Sequence, residues 1–258
     1  MLTNEQFYDR LARLYDTMND WPARLAFEGP FMRRLLDEHQ ARSVLDAACG
    51  TGRHALALSE WGYQVTGADA SPEMIRQAQA NGSACEPAVS FHVGRFDQLP
   101  ALFPSPFDAV LCLGNSLPHV TTDAELEASL QGMLRVLRPG GLLLLHNLNY
   151  DRRWVERPRF MKLDSGIIDG QEVLIWRLAD YTETGIIFHT ALFDRDPGAP
   201  AHWRVTVDST PQKPLFAVPL TAQLRQLGFD EIQAFGSLQG EPFLADKSGD
   251  LVLAGTRL

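Results

Sequence analysis

The sequence of 258 residues has few cysteines, no long apolar run and no excess of positive charge. Its three cysteines, Cys49, Cys85 and Cys112, are an odd number without CxxC spacing, which argues against a disulfide scaffold and a zinc site. The apolar run Leu142–Leu145 is far shorter than the roughly 20 residues that cross a bilayer. No secretion signal is visible at the start. We therefore expect a cytoplasmic protein with neither a metal site nor a membrane partner.

The charge balance is acidic, with 23 Lys and Arg against 32 Asp and Glu and a formal net charge of −9. Binding to a phosphate backbone depends on Lys and Arg, so this balance argues against a nucleic-acid partner. The absence of internal repeats excludes solenoids and propellers. With 45% hydrophobic residues, a chain of this length can bury its own core. The composition is typical of a globular enzyme.

Short apolar strands alternate with helical segments over residues 41–147, which predicts a parallel α/β sheet. The predicted strands are Ser43–Ala48, Tyr63–Asp69, Val89–Val93, Phe107–Leu113 and Leu142–His146. The turn Arg138–Gly141 is expected to lead into the fifth strand. Residues 1–40 precede this core and are expected to be helical, because apolar residues recur there at helical spacing.

The pattern changes at about Leu148 and returns to α/β near residue 221. Between them, the predicted strands have no intervening helices and indicate an antiparallel insertion over residues 148–220. These strands are Glu172–Leu178, Ile186–Phe193 and His202–Asp208. Residues 221–258 are expected to complete the core with the helix Thr221–Leu227 and the strand Leu251–Thr256.

A glycine-rich turn after the first strand carries the strongest chemical signal. Gly50 and Gly52 allow the backbone to turn sharply and to approach a ligand closely. Asp69, at the end of the next strand, is placed to hold two ribose hydroxyls. The segment Gly50–Ala55 also satisfies the dinucleotide pattern GxGxxG/A, so an NAD-dependent oxidoreductase is the alternative. Asp46 favours a ligand with an ammonium group, because its carboxylate would repel a pyrophosphate.

Four strings of residues occur in order along the chain: DAACGTG from Asp46, GADAS from Gly67, FDAVLCLGNSLPH from Phe107 and LRPGGLLLL from Leu137. Together they resemble the class I S-adenosylmethionine-dependent methyltransferases. The resemblance implies a Rossmann-like sheet of seven strands, with helices on both faces and an antiparallel last strand. It also implies S-adenosylmethionine as cofactor and a small-molecule acceptor, methylated on nitrogen or oxygen by in-line displacement.

A narrower resemblance is to the glycine/sarcosine N-methyltransferase group. It rests on Tyr15-Asp16, Trp21 and Arg24, on Gly114-Asn115-Ser116 with His119, and on Asn149-Tyr150-Asp151. In that group residues 1–40 would form a lid over the cofactor, and the insertion would form part of the substrate pocket or a contact between subunits of a homo-oligomer.

The two resemblances together imply a set of site residues. The cofactor-binding residues would be Tyr15, Trp21, Arg24, Asp46, Ala48, Gly50, Gly52, Asp69, Ala70, Met74, Arg95, Phe96, Leu113 and Asn115. The catalytic residues would be His119, Asn115 and Tyr150, with His119 as the candidate base. Arg95 departs from the class, which often has an acidic residue there to accept a hydrogen bond from adenine.

One further departure concerns the substrate. The glycine-type enzymes have arginine before Asn-Tyr-Asp, and that arginine binds the substrate carboxylate, whereas this chain has Leu148. Leucine cannot pair with a carboxylate, so glycine and sarcosine are expected to be poor substrates. A nucleic-acid methyltransferase is a third reading. The acidic charge and the Gly-Asn-Ser string, in place of Asn-Pro-Pro-Tyr, argue against it.

Overall fold

The computed structural model describes residues 2–168, 170–196 and 198–258, which form eight α-helices and eleven β-strands. The helices are α1 (Asn4–Tyr15), α2 (Trp21–Glu38), α3 (Arg53–Glu60), α4 (Pro72–Asn81), α5 (Leu99–Leu102), α6 (Asp123–Arg135), α7 (Tyr150–Glu156) and α8 (Ala217–Leu227). The strands are β1 (Ser43–Asp46), β2 (Gln64–Asp69), β3 (Ser90–Val93), β4 (Phe107–Cys112), β5 (Leu137–Leu148), β6 (Asp164–Ile168), β7 (Gln171–Tyr181), β8 (Ile186–Asp196), β9 (Ala199–Gln212), β10 (Phe229–Phe235) and β11 (Asp250–Arg257).

Seven strands form one sheet in the order β10-β11-β5-β4-β1-β2-β3. Strands β1 to β5 are parallel, whereas β11 runs antiparallel to β5 and to β10. Both faces of this sheet are covered. Alternate leucines of β5 show this, since Leu143 and Leu145 pack in one core cluster and Leu142 and Leu144 pack in the other. The predicted seven-stranded fold with an antiparallel last strand is confirmed.

Some predicted boundaries were wrong. Arg138–Gly141 is not a separate turn: β5 begins at Leu137 and passes through these residues with an irregular register beside β4. The position of strand β10 within residues 221–258 was not predicted, because exposed polar residues interrupt its apolar pattern at the edge of the sheet. Helix α8 begins four residues before the predicted Thr221.

The insertion forms a separate antiparallel sheet in the order β6-β7-β8-β9, so it has four strands and not the predicted three. Strand β6 was missed because Asp164, Ser165 and Gly166 give it little strand-like pattern. Strand β9 extends beyond the predicted end at Asp208 to Gln212, and this extension brings Gln212 into contact with Tyr150 and His119.

Helix α1 lies between the insertion and the main sheet. On one side Phe7, Leu11 and Leu14 pack with Ile175 of β7. On the other side the Asp9 carboxylate accepts a hydrogen bond of 2.6 Å from the Ser71 hydroxyl, at the start of α4. The helix therefore spans the carboxyl ends of the parallel strands, where α/β sheets bind their ligands. Within the described residues, no helix is both long and apolar enough to cross a bilayer.

Candidate functional site

A cavity of about 490 Å³ lies between α1 and the loops that follow β1, β2, β3 and β4. Nine of the sequence-predicted site residues line it: Tyr15, Ala48, Gly50, Asp69, Ala70, Met74, Arg95, Phe96 and His119. A second groove, of about 640 Å³, lies between α2 and Trp61 and is open to solvent. The first cavity is the candidate site because buried polar groups converge on it.

The loop after β1 owes its shape to two glycines with positive φ, +53° at Gly50 and +82° at Gly52. A side chain at Gly52 would also collide with the Phe91 ring, since its Cβ would lie 2.8 Å from that ring. At Gly50 a Cβ would meet only the Tyr15 ring, at 3.7 Å, on the cavity side. Gly52 therefore serves the packing of the loop, whereas Gly50 keeps the cavity floor open.

Asp69 fixes the same loop from the end of β2. One carboxylate oxygen accepts the Gly50 amide at 2.9 Å, and the other accepts the Ser71 amide at 2.9 Å. Burial raises the pKa of Asp69, and the two amide hydrogen bonds counteract part of that rise. The Asp69 carboxylate thus lines the cavity, and each of its two oxygens already accepts a hydrogen bond from a backbone amide.

Asp46 lies beneath this loop and is 1% exposed. Within the described chain neither carboxylate oxygen accepts a hydrogen bond of normal geometry. Burial, and then the nearby Asp69 carboxylate, raise the pKa of Asp46 to about 7, and a favourable interaction with the Ala48 amide offsets only part of the rise. A buried carboxyl without a partner is costly, and a ligand cation would remove that cost.

Asp16, just after α1, joins the lid to the glycine loop. Its carboxylate accepts hydrogen bonds from the Thr51 hydroxyl at 2.6 Å and from the Trp21 indole at 3.1 Å. It also forms a two-pronged ion pair with Arg53 at 2.9 and 2.7 Å. Sequence reasoning gave Asp16 no role of its own. The positive charge of Arg53, directly after Gly52, indicates that the glycine loop needs an acidic partner, and that signal could have identified Asp16.

Trp21 and Arg24, both predicted to contact the cofactor, lie on α2 outside the cavity lining. The Trp21 ring is edge-on to His54, with centroids 5.2 Å apart. The Arg24 guanidinium donates to Glu28 at 2.8 Å, and Glu28 contacts His54 at 2.6 Å. Burial favours a neutral Glu28, but hydrogen bonds and charge from His54 and Arg24 outweigh it and lower the pKa to about 2.

Of three further predicted cofactor residues, Arg95 and Phe96 line the cavity and Leu113 does not. The Arg95 guanidinium is turned toward Asp97, with two contacts of 3.1 Å, at the exposed rim. Phe96 packs partly against the core cluster that contains Leu143. Leu113 is buried in the opposite cluster, and its carbonyl accepts the Ser116 hydroxyl at 2.8 Å.

The three predicted catalytic residues belong to one hydrogen-bond network. Asn115 has a φ of +65°, and its side-chain oxygen accepts the Leu148 amide at 3.0 Å and the Tyr150 hydroxyl at 3.1 Å. The Tyr150 hydroxyl also lies 3.1 Å from the Gln212 side chain, which in turn lies 3.3 Å from Nε2 of His119. The structure thus connects Asn115, Tyr150 and His119 through Gln212.

Tyr8 and Gln212 were missed by sequence reasoning. The Tyr8 hydroxyl lies 2.7 Å from Nε2 of His119 and lines the cavity. Tyr8 precedes Tyr15 by two helical turns, so a shared face of α1 was a usable signal. Gln212 had no such signal, because it lies beyond the last predicted strand. Burial lowers the pKa of His119 to about 4, so its imidazole is neutral at pH 7.

Comparison with known proteins agrees with this architecture. Residues 44–141 match the family model described as a methyltransferase domain. The chain is 40% identical over 148 residues to a glycine/sarcosine N-methyltransferase of Parasynechococcus marenigrum (strain WH8102), covering 57% of this chain and 51% of that protein. It is 34% identical over 146 residues to the enzyme of that name from Aphanothece halophytica, covering 57% and 55%. The aligned region spans about half the length of these relatives.

Solved structures share the fold over nearly the whole chain. An S-adenosylmethionine-dependent methyltransferase from Clostridium acetobutylicum superposes with a TM-score of 0.76 at 14% identity, covering 97% of this chain and 98% of that one. A sugar N-methyltransferase from Streptoalloteichus gives a TM-score of 0.73 at 24% identity, covering 90% and 87%. The resemblance inferred from the motifs is therefore confirmed: residues 44–141 match a methyltransferase domain, and the chain has the fold of solved S-adenosylmethionine-dependent methyltransferases.

Proposed function

We propose that the chain is an S-adenosylmethionine-dependent methyltransferase that transfers a methyl group to the nitrogen of a small amine. The observation that carries this proposal is Asp46, a buried carboxylate without a partner beneath the cavity floor. The ammonium group of a ligand would give this carboxylate the charged hydrogen-bond partner that it lacks. A dinucleotide would place a pyrophosphate near it, so the oxidoreductase alternative does not fit the site.

The remaining residues around the cavity suit the other parts of the cofactor. Asp69 has the acceptor oxygens that ribose hydroxyls require, and Ala70 and Met74 offer an apolar surface to a base. Met74 is 1% exposed and lines the cavity. Gly50 leaves room for the methionine part of the cofactor, and the Tyr15 ring would cover that part. Arg24 and Trp21, on α2, would approach the carboxylate of the cofactor when the lid closes.

Transfer to nitrogen is favoured over transfer to oxygen because His119, the candidate base, is poorly suited to deprotonate a hydroxyl. S-adenosylmethionine, when bound, supplies a methyl group on a positively charged sulfur, which is already electrophilic. A neutral amine attacks such a carbon without prior deprotonation, whereas a hydroxyl needs a base. His119 is buried, and its pKa of about 4 makes it a weak proton acceptor. The chain would therefore mainly align the amine and exclude water.

The insertion contributes to the site through Gln212 of β9, which contacts both Tyr150 and His119. This contact supports the expectation that residues 148–220 form part of the substrate pocket. The outward-facing valines Val205 and Val207 of β9 are 52% and 56% exposed, and they support the expectation of a subunit contact. The two roles use opposite faces of one sheet.

Isothermal calorimetry with S-adenosylmethionine, followed by assay of S-adenosylhomocysteine formation with small amines, tests the proposal. Wild-type protein is expected to bind one equivalent, and Asp69→Ala to lose that binding because the ribose acceptor and the loop anchor both disappear. Binding of NADH without binding of S-adenosylmethionine would contradict the proposal. Methylation of phenols or alcohols but of no amine would contradict its nitrogen specificity.

A further inference from the structure

The Tyr8 side chain lines the cavity but has no role in the proposed binding of the cofactor. Its ring lines the cavity, edge-on to the His119 ring with centroids 5.1 Å apart. Burial, and then the charges of Tyr15, Asp69 and Tyr150, raise its pKa well above the ordinary value, so the phenol stays protonated. The Tyr8 hydroxyl therefore lies near enough to Asp69, Tyr15 and Tyr150 for their charges to act on it.

The Tyr8 hydroxyl is held in place by His119, which lines the same cavity. His119 Nε2 lies 2.7 Å from this hydroxyl, and Gln212 lies 3.3 Å from the same nitrogen. The His119 main chain is also anchored, because its carbonyl accepts a hydrogen bond from Asn4 of α1. A phenol oxygen has one donor and two acceptor positions, and His119 uses one of them. Whichever ring nitrogen carries the proton, Tyr8 keeps an acceptor position for another group.

The charges around the cavity are unfavourable for an acceptor that carries a carboxylate. Four carboxylate side chains line it, those of Glu5, Asp69, Asp97 and Glu125, together with the guanidinium of Arg95. Arg95 is already paired with Asp97 at 3.1 Å. Leu148, at the end of β5, adds no positive charge. The cavity thus attracts amines and repels carboxylates.

We propose that Tyr8 binds the acceptor amine, that His119 orients Tyr8 for this purpose, and that the acceptor is an amine without a carboxylate group. This inference rests on the proposed N-methylation. The amine enters as an ammonium ion and loses one proton to solvent; the neutral amine then donates one N–H to the phenol oxygen, which turns the nitrogen lone pair toward the methyl carbon. The N–C bond forms as the C–S bond breaks, the sulfur keeps the electron pair, and the nitrogen then releases a proton to solvent.

Tyr8→Phe tests this role because it removes only the hydroxyl. The probes are ethanolamine and glucosamine as amines without a carboxylate and glycine and sarcosine as carboxylate-bearing ones, each with S-adenosylmethionine. We expect kcat/KM for the best amine without a carboxylate to fall about tenfold, the effect of one hydrogen bond, with the Kd for S-adenosylmethionine unchanged within twofold. Tyr63→Phe is the matched control, since the Tyr63 hydroxyl donates to Asp37 at 2.8 Å outside the cavity.

Each possible result either supports or overturns the proposed role of Tyr8. Wild-type preference for amines without a carboxylate, lowered by Tyr8→Phe and kept by Tyr63→Phe, supports the inference. It is overturned if Tyr8→Phe methylates these amines as fast as wild type does, or if glycine is used better than they are. If S-adenosylmethionine binds but no amine of either class is methylated, the proposed N-methylation itself fails. A purely structural role of Tyr8 would lower the melting temperature and leave KM unchanged.

Discussion

Asp46→Asn is expected to stabilise the ligand-free protein while it weakens cofactor binding. The pKa of Asp46 is raised by burial from 3.8 to about 7. Between pH 4 and 7 the folded chain keeps a proton on Asp46 that the unfolded chain has lost, so the free energy of unfolding falls as pH rises through this interval. At 1.36 kcal/mol per pKa unit, the loss is about 4 kcal/mol at pH 8.

An asparagine side chain cannot ionise, so it avoids this loss but keeps the size of the original group. We expect Asp46→Asn to raise the free energy of unfolding by about 2 to 4 kcal/mol at pH 8 and by about 1 kcal/mol or less at pH 4.5, measured by urea denaturation without ligand. Calorimetry should show binding of S-adenosylmethionine weakened about ten- to hundredfold, because a hydrogen bond between charged groups is lost.

Asp108→Asn is a matched control of opposite sign. Burial alone would raise the pKa of Asp108, but the Ser43 and Arg42 amides and Arg138 hold it well below its usual range. Its replacement should therefore destabilise the protein at pH 8 and less so as pH falls below 4. The reasoning about Asp46 is refuted if Asp46→Asn lowers the free energy of unfolding at pH 8, or if its effect does not depend on pH.

The other predictions concern affinity, substrate and assembly. The affinity of wild-type protein for S-adenosylmethionine should fall about tenfold per unit below pH 7 in calorimetry, because Asp46 must lose its proton to pair with the ammonium group; a flat profile from pH 5 to 8 would contradict this. Wild-type protein should not turn over glycine at millimolar levels, and Leu148→Arg should introduce measurable turnover; efficient glycine methylation by wild type would refute the role given to Leu148. Val207→Asp should convert a dimer into a monomer in sedimentation analysis, whereas Val218→Asp, on α8 and 78% exposed, should not; a wild-type monomer would contradict the subunit contact.

The parallel core could be predicted from the sequence because local patterns determine it. Buried strands such as Val110–Cys112 are continuous apolar runs, and Gly50 and Gly52 mark a turn that few other residues allow. The edge strands β6 and β10 could not be located from the sequence, for the converse reason. They are half-exposed and polar, so their conformation depends on the neighbouring strand and not on their own residues.

The residues of the candidate site likewise fall into those with a local sequence signal and those without one. Asp46 and Asp69 could be identified from the sequence, since each lies at the end of a strand beside the glycine turn. Gln212 could not, because it meets His119 only through the packing of the insertion, 93 positions further along the chain. Contacts of such sequence separation have no local pattern. Asp16 is an intermediate case, since its partner Arg53 lies within the recognisable loop.

Calorimetric titration of S-adenosylmethionine into wild-type protein and Asp46→Asn, at pH 8 and pH 6, tests the central claim most directly. The claim is that an unpaired buried carboxylate holds the ammonium group of this cofactor. We expect one equivalent to bind wild-type protein, about tenfold more weakly at pH 6 than at pH 8, and binding to Asp46→Asn to be weak at both values. Equal affinity of the two proteins at both pH values, or no binding to either, would contradict the claim.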